Sequence, residues 1–161
     1  MAEARLVIRR ILPGEHGSVV RLGTRAFAAF GDYSRALARW LRHPSMWTLV
    51  AELEGEFAGF CIVYVGYDPL EQCWYGELMA IAVEERFRGM GIGRDLVRAA
   101  CRLAKAVSSG LPVTELRLTV ADTNEVALGL FASEGFVEVG CEEGYYDGGQ
   151  RALRMIKLLE P

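Results

Sequence analysis

One stretch limits what this chain can fold into more than any other. An apolar run, Leu78-Met79-Ala80-Ile81-Ala82-Val83, follows Glu77 and passes through a polar link, Glu84 to Arg88, into three alternating glycines, Gly89, Gly91 and Gly93. A long amphipathic segment then begins near Arg94. The spacing predicts a strand, an anion-binding turn and a helix. The glycines free the backbone for positive φ and let a bulky anion reach the main-chain amides with no Cβ in the way. A helix starting there adds its unpaired N–H groups and the positive end of its dipole. Arg86, Arg88 and Arg94 bracket the turn and are placed to make charge-assisted contacts to phosphate oxygens. Three glycines among three arginines suit a pyrophosphate.

At 161 residues the chain is expected to form one domain, residues 1–161, and to bury about two thirds of its unfolded surface. A net charge of -3 argues against a general nucleic-acid binder, which needs a basic surface. Cys61, Cys73, Cys101 and Cys141 are scattered and show no C-x-x-C spacing, and only His16 and His43 could join them. Buried reduced thiols are therefore expected, and no metal site. The start, Met1-Ala2-Glu3-Ala4-Arg5, has no apolar signal core, and no apolar run reaches the roughly 18 residues that span a bilayer. These features predict a cytoplasmic protein without membrane or nucleic-acid partners, monomeric or homodimeric.

Along the chain, Leu6 to Ile11 reads as a short strand ended by Pro13-Gly14. Val19, Val20, Leu22, Ala26, Phe27 and Phe30 recur at helical spacing up to Gly31-Asp32, and a second helix is expected from Ser34 to Leu41. Thr48 to Leu53 and Phe57 to Val65 read as a hairpin turning at Glu54-Gly55, linked by residues 66–72 to a strand starting near Cys73. After the glycine turn, Ile92, Leu96, Ala99, Ala100, Leu103 and Val107 form an apolar stripe, and Arg94, Arg98 and Arg102 line another face read as solvated. Ser108-Ser109-Gly110 is expected to stop that helix. Leu116 to Val120 follows as a strand, parallel to the one before the glycines because a helix crosses between them. Asp122 and Glu125 have capping-box spacing ahead of a helix closed by Gly135, and Phe136 to Val139 with Ala152 to Leu158 reads as a last hairpin. One α/β domain with a mixed sheet accounts for the whole chain.

Two familiar phosphate motifs fail on specific residues. A P-loop requires Lys-Ser/Thr after its last glycine, and none follows here. A dinucleotide fingerprint wants a third glycine where Arg94 stands, and a meander of strands precedes it. Arg86-Phe87-Arg88-Gly89-Met90-Gly91 instead resembles the [RQ]-x-x-G-x-[GA] pyrophosphate loop of the GNAT superfamily of acyl-CoA-dependent N-acyltransferases. Asn124, Ala127, Leu130-Phe131 and Gly135-Phe136 are similar to that family's second signature, N-x-x-A-x-x-[LF]-[YF]-x-x-x-G-F. The two motifs stand in the family's order and separation, and the resemblance covers essentially the whole chain.

The resemblance implies a GNAT fold, a single mixed sheet of about six to seven strands flanked by about four helices. It implies acetyl transfer from acetyl-CoA to an amine by direct attack in a ternary complex, without a metal. The backbone amides of Arg88, Gly89, Met90, Gly91, Ile92 and Gly93 would cradle the pyrophosphate, with Arg94 in reach. The main chain near Ala82 and Val83 would pair with the pantetheine amides, and a splay between this strand and the one ending at Val120 would hold the thioester while a backbone amide polarises its carbonyl. Asn124 would contact the cofactor or cap its helix. Phe131 stands where many members carry an acidic tyrosine, and would pack against the thiol end or fill the core.

An amine with a pKa near 10 must lose a proton before it attacks. Glu77, at the head of the apolar strand, stands where some family members carry a glutamate base; the other reading is a solvent-facing or salt-bridged carboxylate. Tyr145 and Tyr146 are the candidate acids, or line the acceptor site. The tail also resembles bacterial ribosomal-protein N-terminal alanine acetyltransferases, in which a tyrosine pair precedes Glu-Asp-Ala-Leu. This chain departs from that pattern at Gln150-Arg151, at Thr119 and at Phe131. The acceptor is thus either a small metabolite amine or a peptide α-amine, and a catalytically silent acyl-CoA-binding regulator is the reading outside the enzymes.

Overall fold

The alternating apolar residues of the first half build an antiparallel meander that delivers the glycine turn to the middle of a sheet. The computed structural model describes residues 3–108 and 110–160; Met1 and Ala2 of the N-terminal stretch, Ser109 of the expected helix stop, and Pro161 lie outside them. Strand β1 (Leu6–Arg10) pairs with β2 (Met46–Leu53), β2 with β3 (Glu56–Asp68) and β3 with β4 (Cys73–Val83), all antiparallel. Helices α1 (His16–Ala26) and α2 (Ser34–Trp40) fill the connection from β1 to β2. From β4 the chain passes through α3 (Ile92–Val107) to β5 (Val113–Ala121), which lies parallel to β4 as the helical crossover requires. Helix α4 (Glu125–Ser133), β6 (Val137–Glu142) and β7 (Ala152–Leu158) complete one seven-stranded mixed sheet in the order β1-β2-β3-β4-β5-β7-β6. The last hairpin forms as expected, with β7 inserted between β5 and β6, so the final strand is internal.

Some boundaries move for tertiary reasons. Helix α1 stops at Ala26, and Phe27, Phe30 and Tyr33 sit in a turn beyond it rather than on its face. Strand β3 runs on through Gly66 and Tyr67 to Asp68, because β4 pairs with it as far as Asp68 opposite Cys73. The expected capping box does not form. Asn124 is the N-cap of α4, its side chain accepting from the Ala127 N–H at 3.3 Å, while the Asp122 N–H donates to the Arg151 carbonyl. At the other end of α4, Phe136 N–H donates to Phe131 O and Gly135 N–H to Ala132 O, with Gly135 at φ +92°. That is a Schellman cap, and the Phe131 and Phe136 rings meet across it at 5.7 Å.

The sheet carries a buried core cluster on each face, and the β4–β5 end of one face is left uncovered. One core cluster, with Leu96, Ala100, Leu116, Leu118 and Phe131, lies under α3 and α4; the other, with Val19, Leu22, Leu37, Phe60 and Ile62, lies under α1 and α2. A register shift joins the two. Ile62 pairs with Ala80 and Val63 with Leu78, so Met79 is an extra residue in β4. Side chains two apart in a regular strand share a face; here Leu78 belongs to the α3 layer, whereas Ala80 and Ala82 belong to the α1 and α2 layer.

Arginines 94 and 98, read from the sequence as part of a solvated stripe, tie α3 to the end of α4. Arg94 Nε lies 2.8 Å and Arg98 Nε 3.1 Å from the Glu134 carboxylate, whose side chain is only 6 % exposed. The hydrogen bonds from Arg98 hold the Glu134 carboxyl below its ordinary 4.5. A depressed carboxyl contributes stability above its unfolded value and loses it as pH falls through the lower folded value. Glu134→Gln is therefore expected to lower the melting temperature by a few degrees at neutral pH, with the deficit closing as the solution is acidified below about pH 4.5. Circular-dichroism melts from pH 7 to pH 3 check this, and a deficit independent of pH would remove the ion pairs as its cause.

Candidate active site

The glycine turn presents amides rather than cations. Gly89 and Gly91 adopt φ of +79° and +82°, conformations that Cβ-bearing residues rarely hold, and both face open space. Gly93 does not share this role. It lies in the first turn of α3, where a Cβ would stand 3.3 Å from Leu130 Cδ2, so its small size lets α4 approach α3. Gly91 is the N-cap of α3, and its carbonyl takes the first helical bond from the Asp95 N–H. The amides of Ile92, Gly93 and Arg94 precede that bond and are free of helical partners. The bracketing arginines are turned to protein: Arg86 pairs with Glu56 and stacks over Phe87, Arg88 Nε donates to the Val83 carbonyl, and Arg94 binds Glu134. What faces outward is a row of backbone N–H groups at a helix N-terminus, an arrangement that binds anions.

Beside this cradle the sheet opens. β4 and β5 pair only as far as Leu78 opposite Leu118; beyond them, residues 79–83 and 119–121 run on without pairing to each other. The Met79 bulge bends β4 away, whereas β5 stays bound to β7 as far as Ala121 opposite Ala152. A cavity of about 110 Å³ fills the gap. Its strand wall is Leu78 to Ile81 and Leu118 to Ala121, with Asn124, Ala127 and Phe131 on one side and Phe27, Phe30, Tyr33, Trp40 and Tyr146 on the other. The free edge near Ala82 and Val83 leads from the cavity toward the glycine turn, although Arg88 already engages the Val83 carbonyl. Of the tyrosine pair, Tyr146 lines the cavity, and burial, with Tyr33 and Tyr145 nearby, pushes its phenol well above the ordinary value of 10. Tyr145 packs edge-on against it at 4.9 Å and is itself half exposed.

Glu77 lies on the neighbouring face. It stands in register with Tyr64 of β3 and Arg117 of β5, in the wall of an open cavity of about 590 Å³ that shares Leu118 and Thr119 with the first. Among the described residues it has no hydrogen-bond or ion-pair partner, so the salt-bridged alternative is not what forms. Burial pushes its carboxyl above the ordinary 4.5, opposed by Arg117 and Arg154. Arg117, given no role by the sequence reading, organises this face. Its guanidinium lies 4.1 Å from the centre of the Tyr75 ring and pairs with Asp68 at 2.8 Å and Glu115 at 3.1 Å. Burial works against its charge, and the two carboxylates more than offset this. The detectable signal was the strand period: Glu115, Arg117 and Thr119 alternate with the apolar Leu116, Leu118 and Val120 and so share the uncovered face. Among the described residues no three metal-type side chains cluster, and no helix is long and apolar enough to cross a membrane.

An amide cradle, a splayed parallel strand pair and Asn124 at the start of α4 fall within residues 18–136, which match the profile of the acetyltransferase (GNAT) family. The chain belongs to the GNAT family. A Bacillus subtilis (strain 168) relative carrying the provisional name [ribosomal protein bS18]-alanine N-acetyltransferase is 31% identical over 116 residues, 71% of this chain and 70% of its own length. An N-alpha-acetyltransferase of Sulfurisphaera tokodaii is 33% identical over 112 residues, 66% of this chain and 65% of its own length. The Escherichia coli ribosomal-protein-S18-alanine N-acetyltransferase superposes with a TM-score of 0.80 at 23% identity over 98% of this chain and 96% of that one, a likeness of fold. As a GNAT acetyltransferase the protein moves an acetyl group from acetyl-CoA to an amine. Within the GNAT pattern Phe131 has no proton to give; it is 3 % exposed and closes the cavity floor against Phe136.

Gly91→Val tests the cradle. It puts a branched side chain on a left-handed residue whose Cβ direction is open to the ligand. Acetyl-CoA affinity by calorimetry should fall at least about tenfold, roughly 1.4 kcal/mol, with the far-ultraviolet spectrum unchanged. Equal affinity would remove the turn as the anion site.

Proposed function

We propose that acetyl-CoA lies with its pyrophosphate on the amides of residues 89–93, its pantetheine along the free edge of β4 near Ala82 and Val83, and its thioester between β4 and β5, where the acceptor amine attacks it directly. The Arg88 amide, expected to join the cradle, is already occupied, donating to the Glu85 carbonyl at 3.2 Å. The observation that carries this reading is the loss of pairing beyond Leu78 and Leu118, because it leaves a strand edge with unused backbone groups leading from the cradle into a cavity. Asn124 stands in the cavity wall and caps α4, so both of its expected roles are compatible.

Glu77 takes the proton from the incoming ammonium through water in the open cavity that adjoins the splay at Thr119. The leaving thiolate receives a proton from Tyr146, whose phenol lines the cavity and carries its proton at neutral pH. Tyr145 supports Tyr146 and does not itself meet the reacting atoms. The acceptor is a primary amine. A narrower reading, a peptide or protein N-terminal α-amine, is supported by the names of the two relatives, and Phe131, Thr119 and Gln150-Arg151 depart from the tail pattern that accompanies it. The expected burial holds for Cys61 alone, with Cys73 and Cys101 half-buried and Cys141 exposed; all four thiols are free, which agrees with a reducing cytoplasm.

Coenzyme A release measured with a panel of small amines and short peptides separates these acceptors from a silent acyl-CoA binder, for which no amine would be turned over. In the active pairing, Glu77→Gln should lower kcat by about 10²-fold or more and abolish the acid limb of the pH–rate profile. That limb lies above pH 4.5 in the native enzyme because burial raises the Glu77 carboxyl and the base is lost as pH falls through that value. A native limb that persists in the variant would dismiss Glu77 as base. Tyr146→Phe should lower kcat by about tenfold or more with acetyl-CoA affinity held, and an unchanged kcat would dismiss Tyr146 as acid.

A further inference from the structure

Two irregular segments form one wall of the cavity. Residues 27–33, between α1 and α2, bring Phe27, Phe30 and Tyr33, and residues 143–151, between β6 and β7, bring Tyr146. Among the described residues one hydrogen bond crosses from one segment to the other: Gln150 Nε2 donates to the Ala29 carbonyl at 2.9 Å. The segments are in close contact around it. A Cβ on Gly148 would collide with that same Ala29 oxygen and with the Gln150 amide, and a Cβ on Gly31 would lie 3.0 Å from Asp147 Oδ2. The Phe30 and Tyr146 rings meet at 5.5 Å. The next residue ties the strap down at its other side: Arg151 O accepts from the Asp122 N–H at 2.9 Å, and Arg151 Nε lies 3.5 Å from the Asp122 carboxylate, at the end of β5. Gln150 and Arg151 thus tie the 143–151 segment to residues 27–33 on one side and to the end of β5 on the other.

We propose that Gln150 is a positioning residue for the acceptor: its amide pins the segment carrying Phe27, Phe30 and Tyr33 against Tyr146 and so fixes the wall against which the amine's substituent packs. The proposal rests on the acetyl-transfer site described above. The chemistry makes the amide specific. Ala29 O can only accept, so the group facing it must donate; a carboxylate of the same size repels it. Gln150 Oε1 is buried without a partner, so a negative charge placed there has nothing to compensate it. The single bond matters because neither segment has a ladder or helix of its own to hold it. Rigid placement of these rings lowers the ordering cost when an acceptor binds.

Gln150→Glu and Gly148→Ala perturb the same junction, one through its hydrogen bond and one by steric contact. In each, the acceptor KM should rise about tenfold with kcat changed less than threefold and acetyl-CoA Kd unchanged. The double variant should be no worse than the weaker single by more than about twofold, because both open one contact. Chymotryptic cleavage at Phe27, Phe30 or Tyr33 should accelerate in both, a readout that needs no acceptor. Faster cleavage with an unchanged acceptor KM would overturn the proposal, as would unchanged cleavage and KM in a folded Gln150→Glu protein. A native protein that binds acetyl-CoA but acetylates no amine would instead overturn the proposed function, and the cleavage rates would still decide whether Gln150 holds the wall.

Discussion

The end of pairing between β4 and β5 is the feature on which the rest of the molecule depends. Two parallel strands joined by a helix ordinarily stay bonded along their length, and here they part after Leu78 and Leu118. The cause is local to β4. Met79 is one residue too many for the ladder with β3, so the strand bends and its side chains change faces, sending Leu78 to one core and Ala80 to the other. β5 cannot follow, because β7 holds its opposite edge as far as Ala121. The gap opens beside the turn whose amides face outward, so cradle, strand edge and cavity form one continuous path.

Charge is distributed in a way that suits this path. The arginines around the glycines bind Glu56, Glu134 and the Val83 carbonyl, so the turn meets solvent with the helix-start amides of α3 rather than with these cations. On the uncovered sheet face the pattern reverses. Arg117 is neutralised by Asp68 and Glu115, while Glu77, directly across in the parallel ladder, keeps its carboxylate free of any ion pair among the described residues. Burial raises its proton affinity, against the opposing charges of Arg117 and Arg154.

Much of this was legible in the residues. Periodicity located the helices and most strands, since the side-chain repeats of 3.6 and 2 leave a direct trace in the order of apolar residues. Gly89, Gly91, Asn124 and Gly135 announced themselves because each does a backbone task few residues can perform. Tertiary contacts defeated the reading elsewhere. Nothing in residues 27–33 says that α1 will stop at Ala26 so that three aromatic rings can line a cavity. Asp122 and Asn124 both look like helix caps, and the choice between them depends on Arg151, distant in sequence, which occupies Asp122. Arg94 looked like a ligand-facing cation until Glu134, at the far end of another helix, proved to hold it.

The sequence by itself determined the glycine turn and the order of strands and helices, because these follow from short-range backbone preferences and from apolar period, and its two motifs carried the resemblance to the GNAT family. Only the tertiary structure decided where β4 leaves β5, which tyrosine of the pair faces the cavity, that Glu77 stands without an ion pair, and that Gln150 closes onto Ala29. Each of these joins residues far apart in the chain through sheet register or a single directed hydrogen bond, and register is fixed by packing on both faces at once rather than by any local run of residues.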